Sequence, residues 1–236
     1  MIKAFIIAQP KAGTTHMTFS LRRYFNGEYG SVNLWANRGI EVQDIHPATM
    51  LELINSHTDF IVKPHLQATP NNINALQHFN IRPIIMTRNI FDSVISMRDH
   101  FDKDVNEGTT GMVPMPLGFP FYHDSYRALS PQERIDYIID YIAPWLIMFQ
   151  YGWQRYQGEC LRIDYDSFMK NKRRTFAHTI QFLEGRQHAI SKKRIQASLK
   201  HEDIRYNSVI SGRGLRELNA AQQARIIEMQ NRLSRV

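Results

Sequence analysis

Ala4-Phe5-Ile6-Ile7-Ala8-Gln9-Pro10-Lys11-Ala12-Gly13-Thr14-Thr15 is the stretch that decides the fold. An apolar run passes directly into a Pro/Gly turn, and a helix-like segment, residues 16–25, follows at once. The pattern predicts a buried strand, a tight loop and a helix N-terminus. The first turn of a helix carries backbone N–H groups without intrahelical partners and the positive end of the helix dipole, so it suits an anion. Lys11 adds a mobile cation, and Thr14 and Thr15 add hydroxyl donors. The nucleotide loop G-x-x-x-x-G-K-[ST] sets its lysine after the glycine. Here Lys11 precedes Gly13 and Thr14 stands where that lysine would be, so the usual ATP or GTP loop is excluded. The same residues also make an ordinary strand–turn–helix corner, with Pro10 and Gly13 serving the turn. Both readings stay open on this stretch alone.

Outward from it, short apolar runs alternate with longer helical patterns, which predicts an α/β protein with a parallel sheet. Strands are expected at Ile2–Ala8, Asp59–His65, Arg82–Arg88 and Cys160–Tyr165, with a shorter one near Ser31–Trp35. Helices are expected at Thr14–Phe25, Pro47–Ser56, Pro70–Phe79, Ile90–Phe101 and about Ser167–Leu183. Ser130-Pro131-Gln132-Glu133 reads as a capping box opening a long helix through Tyr156, and Asn219-Ala220-Ala221-Gln222 as a second box opening the last one. Residues 102–129 hold no steady period. Their Gly, Pro, Met and aromatic content predicts a lid or acceptor-binding loop, since long aperiodic stretches in compact domains usually serve function.

The 236 residues fit one large domain or two small ones. No linker or repeat is evident, so one domain spanning residues 1–236 is expected. Cys160 is the single cysteine, which excludes an internal disulfide framework and suits a reducing compartment. No leader pattern opens the chain and no apolar run approaches about 18 residues, so no membrane span is expected and a cytoplasmic location is. The net charge of +7 suits an anionic ligand, a nucleic acid or an acidic surface without choosing among them. The ten histidines fall in no metal-ligand spacing.

In open α/β sheets, ligands bind beyond the carboxyl ends of the strands. The first expected strand leads to Lys11. The next ends in Lys63-Pro64-His65, where residues two apart face one side of a strand. Another ends in Arg88, followed by a helix bearing Ser93 and Ser96. A strand-end His or Arg is, taken singly, usually a surface residue. Three cationic strand ends and a histidine converging on one edge point instead to an anion site.

These residues resemble the sulfotransferases that use 3′-phosphoadenosine 5′-phosphosulfate (PAPS). Pro10–Thr15 is similar to that family's P-K-S-G-T-T loop, Lys63-Pro64-His65-Leu66 to its K-[ST]-H-x segment, and residues 88–96 to its R-N-x-x-D-x-x-x-S stretch. Leu161–Phe168 is similar to its Y-E-D segment. The order and spacing hold from residue 4 to about 185. The resemblance implies a three-layer sandwich around a mainly parallel sheet, with P-loop-NTPase-like topology, and sulfuryl transfer to an acceptor hydroxyl or amine without a metal. It implies His65 as general base, with Lys11 and Lys63 as catalytic cations. The 5′-phosphosulfate would lie on Lys11, Ala12, Gly13, Thr14 and Thr15, with Arg88 and Ser96 on the 3′-phosphate and Tyr165 near the cofactor. Three departures stand out. Ala12 replaces the loop serine. His16 occupies the position of an adenine-stacking tryptophan. Gly212-Arg213-Gly214 is a partial match to the late R-K-G-x-x-G segment, with Arg213 as its phosphate contact. The acceptor expected is a small molecule or a glycan. The competing readings are an ATP-dependent small-molecule kinase, a nucleic-acid or anion binder without enzymatic activity, and a degenerate sulfotransferase fold used for binding. The oligomeric state is not legible.

Overall fold

The first strand, β1 (Lys3–Ala8), is buried over nearly all its length, as a strand covered on both faces must be. The computed structural model describes residues 2–25, 36–37, 40–41, 44–56, 60–106, 112–114, 120–185, 190–200 and 211–235. After β1 come α1 (Thr14–Tyr24), a small antiparallel pair β2 (Ala36–Asn37) and β3 (Ile40–Glu41), and α2 (Pro47–Ser56). Next are β4 (Phe60–Val62), α3 (Pro70–His78), β5 (Ile84–Thr87) and α4 (Ile90–Asn106). A second antiparallel pair, β6 (Met112–Pro114) and β7 (Pro120–Tyr122), leads into α5 (His123–Arg127), α6 (Pro131–Tyr141) and α7 (Ala143–Arg155). The chain then forms β8 (Leu161–Asp164), α8 (Tyr165–Lys170), α9 (Lys172–Glu184), α10 (Lys192–Ser198), α11 (Arg213–Glu217) and α12 (Ala220–Leu233).

The main sheet has the order β4-β1-β5-β8, and every pair in it is parallel. Alternation along its strands divides the core in two. Phe5, Ile7, Phe60, Val62 and Ile85 face a cluster supplied by α2, α3, α4, α6, α7 and α12. Ala4, Ile6, Ala8, Ile61, Ile84, Met86, Leu161 and Ile163 face a second cluster with α1, α8, α9 and α10. Successive side chains point to opposite faces, so each apolar run dictates a covered sheet and three layers. The expected α/β fold is the one observed.

The two capping boxes form as read. Ser130 accepts from Glu133 N–H while Glu133 accepts from Ser130 N–H, and Asn219 and Gln222 do the same. Elsewhere the boundaries move. The helix expected through Tyr156 is two helices, broken at Ile142 (φ −112°). Pro144, which has no N–H and whose ring crowds the carbonyl four residues back, sits in the first turn of α7. The segment read as Ser167–Leu183 is likewise divided, at Asn171. The stretch at 102–129 is more regular than expected where it is described. α4 continues to Asn106, β6 and β7 pair, and Tyr126 of α5 is fully buried with its hydroxyl donated to Asp102. Residues 107–111 and 115–119, and the strand expected near Ser31–Trp35, lie outside the described residues. No helix among the described residues is long and apolar enough to cross a membrane.

Candidate functional site

The loop after β1 is built on a tight turn. Ala12 N–H donates to the Gln9 carbonyl at 3.1 Å, closing residues 9–12. Pro10 takes the second position and Lys11 the third, with φ 68°, the pattern of a type II turn. Gly13 (φ 79°) then starts α1 without any side-chain cap, and the first turn of α1 holds no acidic residue. The first N–H groups of α1 are therefore left to an incoming anion. A Cβ on Gly13 would lie 3.1 Å from the Tyr165 ring, so glycine serves both the positive φ and the close packing. Lys11 is partly exposed, Thr14 is buried and Thr15 is exposed. Ala12 is fully buried in the α1-side cluster. Its side chain faces the core, which explains how a methyl is tolerated where a hydroxyl was expected.

β4 ends at Val62, before Lys63. Pro64 lacks an N–H to continue the ladder, though its carbonyl still accepts from Ala8 N–H at 3.2 Å. The extended segment beyond β4 is pinned to α7. Trp153 Nε1–H donates to the Leu66 carbonyl at 2.8 Å, Gln67 donates to the Trp145 carbonyl at 3.0 Å, and Gly152 lets α7 approach Ala68. Trp145 and Trp153 are core residues. His65 Nδ1 lies 2.6 Å from the Ala8 carbonyl. A carbonyl only accepts, so Nδ1 carries the proton and neutral His65 presents Nε2 as an acceptor. Burial pushes the imidazole down, the Ala8 carbonyl acts in the opposite sense, and Lys63 and Lys11 push it down again. The result is about 4.

Arg88 follows β5 and is buried. Its Nη1 donates to the Lys11 carbonyl at 3.1 Å, and its guanidinium lies 4.2 Å from the centre of the Tyr165 ring. Its Nε is buried with no hydrogen-bond partner among the described residues. Such an orphaned cationic donor fits an anionic ligand. Asn89 caps α4 by accepting from Asp92 N–H, and Ser93 and Ser96 lie buried one and two turns in.

The structure thus brings Lys11, Gly13, Lys63, His65, Arg88 and Tyr165 to one edge of the sheet. His16 is buried, its ring centre 5.5 Å from that of Phe168. The turn at 211–214 reaches the same edge, since Asp92 accepts from Gly212 N–H and Gly214 N–H. The Arg213 head group, however, is held by Asp99 and Glu217 at 2.7 Å each. Two other histidines that could serve as a base are His100, which lies on α4, and His123, whose side chain is outside the described residues. Among the described residues no group of three or more His, Cys, Asp or Glu is arranged to hold a metal ion.

Two glutamines were missed. Gln9 is fully buried. It donates to Ser93 Oγ at 2.8 Å and accepts from Arg88 N–H and from Gln150, which also donates to the Arg88 carbonyl. A polar residue closing an apolar strand just before a proline was the available signal for Gln9. Gln150 carried none, because α7 brings it from 141 residues away.

No protein-family model and no curated protein matches this sequence. Solved structures match the fold. Mouse sulfotransferase SULT7A1 complexed with PAP aligns at TM-score 0.65 and 13% identity, over 99% of this chain and 84% of that one. Retinol dehydratase in complex with androsterone and inactive cofactor PAP aligns at TM-score 0.58 and 13% identity, over 98% and 80%. At this identity the likeness carries the fold.

Proposed function

We propose that this chain is a sulfotransferase that moves a sulfuryl group from PAPS to an acceptor hydroxyl. The observation that carries the reading is His65, tied through Nδ1 to the Ala8 carbonyl and flanked by Lys63 and Lys11 beside an uncapped helix start. The likeness of the fold to solved proteins with PAP bound supports it. PAPS would supply an activated sulfur and a phosphate leaving group. Lys11 and the N–H groups of Gly13, Thr14 and Thr15 would hold the 5′ side, with Ala12 shaping the turn. Arg88 and Ser96 would hold the 3′-phosphate, and the orphaned Arg88 Nε supports that part. Tyr165 would lie along the nucleotide. His16, packed on Phe168, would reach adenine by its ring edge. Arg213 would reach phosphate by releasing a carboxylate, and Gly214 would shape the wall behind it.

His65 Nε2 takes the proton of the acceptor hydroxyl as its oxygen bonds to sulfur, in line with the S–O bond that breaks. The electron pair of that bond goes to the phosphate oxygen, where Lys11 offsets the new charge, while Lys63 offsets the sulfuryl oxygens. The acceptor is a small molecule, a reading supported by the androsterone bound to one fold relative. The paired strands β6 and β7 would form one wall of its site.

A thermal-shift comparison of adenosine 3′,5′-bisphosphate (PAP) with ADP tests the reading. At ~100 times its dissociation constant a ligand adds about 2.7 kcal/mol. PAP should stabilise the protein and ADP should do so far less. Equal shifts favour an ATP-type nucleotide site, and no shift with PAP overturns the proposal. Labelled PAPS offered to sterols, phenols and oligosaccharides then separates small-molecule from glycan acceptors.

A further inference from the structure

The buried carboxylate of Asp92 is not among the groups assigned to cofactor or acceptor above. It sits in the first turn of α4, four residues after Arg88 and four before Ser96, and is 3% exposed. Its two oxygens are both committed to the chain at 211–214. Oδ2 accepts from Gly212 N–H at 2.8 Å and Oδ1 from Gly214 N–H at 2.7 Å. Gly212 has φ 80°, so the turn is bent to offer both donors to one carboxylate. Gly214 has no room for a side chain, because a Cβ there would lie 2.2 Å from the Phe91 carbonyl carbon. A second tie comes from the opposite side. Ser211 Oγ donates at 2.6 Å to Asp166, the neighbour of Tyr165. The turn therefore spans from α4 to α8, the two helices that carry Arg88's flank and Tyr165.

We propose that Asp92 is a positioning residue that builds the 3′ side of the nucleotide site by holding residues 211–214 against α4. This rests on the sulfotransferase reading. Asp92 touches no ligand in it. It acts through the turn, which is hydrogen-bonded to α4 midway in sequence between Arg88 and Ser96 and to Asp166 of α8. Its loss is felt by a ligand with a 3′-phosphate and spares one without. Two backbone donors and the positive end of the α4 dipole accommodate the buried carboxylate.

The test is calorimetric binding of PAP and of ADP to the folded full chain, with steady-state kinetics. Asp92→Ala removes both acceptors. Hydrogen bonds to a charged group are among the stronger ones, so the PAP affinity should fall by about tenfold or more while the ADP affinity changes by less than about threefold. KM for PAPS should rise with kcat at saturating PAPS little changed. Gly214→Ala keeps the carboxylate but pushes the turn off Phe91, and it should reproduce the loss of PAP preference even if Asp92→Ala folds poorly. If both variants weaken PAP and ADP equally, or keep the wild-type ratio, Asp92 is merely structural and the inference falls. A wild-type protein without preference for PAP over ADP would instead sink the sulfotransferase reading, and this inference with it.

Discussion

Lys11 is the residue where conformation and chemistry collide. Its φ of 68° is a left-handed conformation that costs an L-residue roughly 1–2 kcal/mol. Lys11→Gly relieves that strain, an effect offset by glycine's greater freedom in the unfolded chain, so stability should stay within about 1 kcal/mol. Turnover should nevertheless fall by about 10²–10³-fold, the usual loss when one group stabilising developing charge is removed. Thermal denaturation beside kinetics checks both halves. His65→Ala should lower turnover by about 10²–10⁴-fold and leave PAP affinity nearly unchanged, as titration calorimetry would record. Near-normal turnover would end the base assignment. Without a ligand, Lys63 and Lys11 help hold the imidazole at about 4. An anion seated on the two lysines offsets their charge, so PAP should raise the His65 midpoint in an NMR titration. An unmoved midpoint would mean the anion binds elsewhere. At this scale the sequence was informative about identity: Lys11, His65 and Arg88, which meet at one sheet edge, were all readable. It was silent on the Ala8 carbonyl that selects the His65 tautomer, because that bond joins residues 57 apart.

At the scale of elements, α7 is what gives His65 a fixed address. It holds residues 66–68, just after His65, through Trp153, Trp145 and Gly152. Trp153→Phe keeps most of the packing and leaves the Leu66 carbonyl without its donor, at a cost of about 1–3 kcal/mol. Turnover should drop more than PAP affinity, since the segment that moves carries His65 and not the Pro10–Thr15 loop. Comparable losses in both would argue that the whole site collapses. The starts of α6 and α12 were legible from capping residues, because a cap is a contact between neighbours in sequence. The breaks at Ile142 and Asn171 were not read. Pro144 was a signal for the first, yet a proline in a first turn is compatible with helix and declares a break only once the preceding helix is known to end.

For the whole molecule, the parallel sheet sets two apolar layers and leaves the polar strand ends at one edge. That edge couples the site to acid stability. The folded midpoint of His65, about 4, lies below the ordinary value near 6.5, so between these the unfolded chain binds more protons. The His65 contribution to stability is fully present above about pH 6.5 and is lost as pH falls toward 4. His65→Gln should flatten that part of a melting-temperature profile. An unchanged slope would show that other groups dominate acid unfolding. The four strands of the main sheet, many helix starts and the chemical types at the strand ends were determined by the sequence itself, because periodicity, caps and turns act over a few residues. Which side chains meet was decided by tertiary structure. Gln150 on Arg88, Asp92 on Gly212 and Gly214, Arg213 on Asp99 and the inward-facing Ala12 all depend on contacts across layers, and no local spacing encodes those.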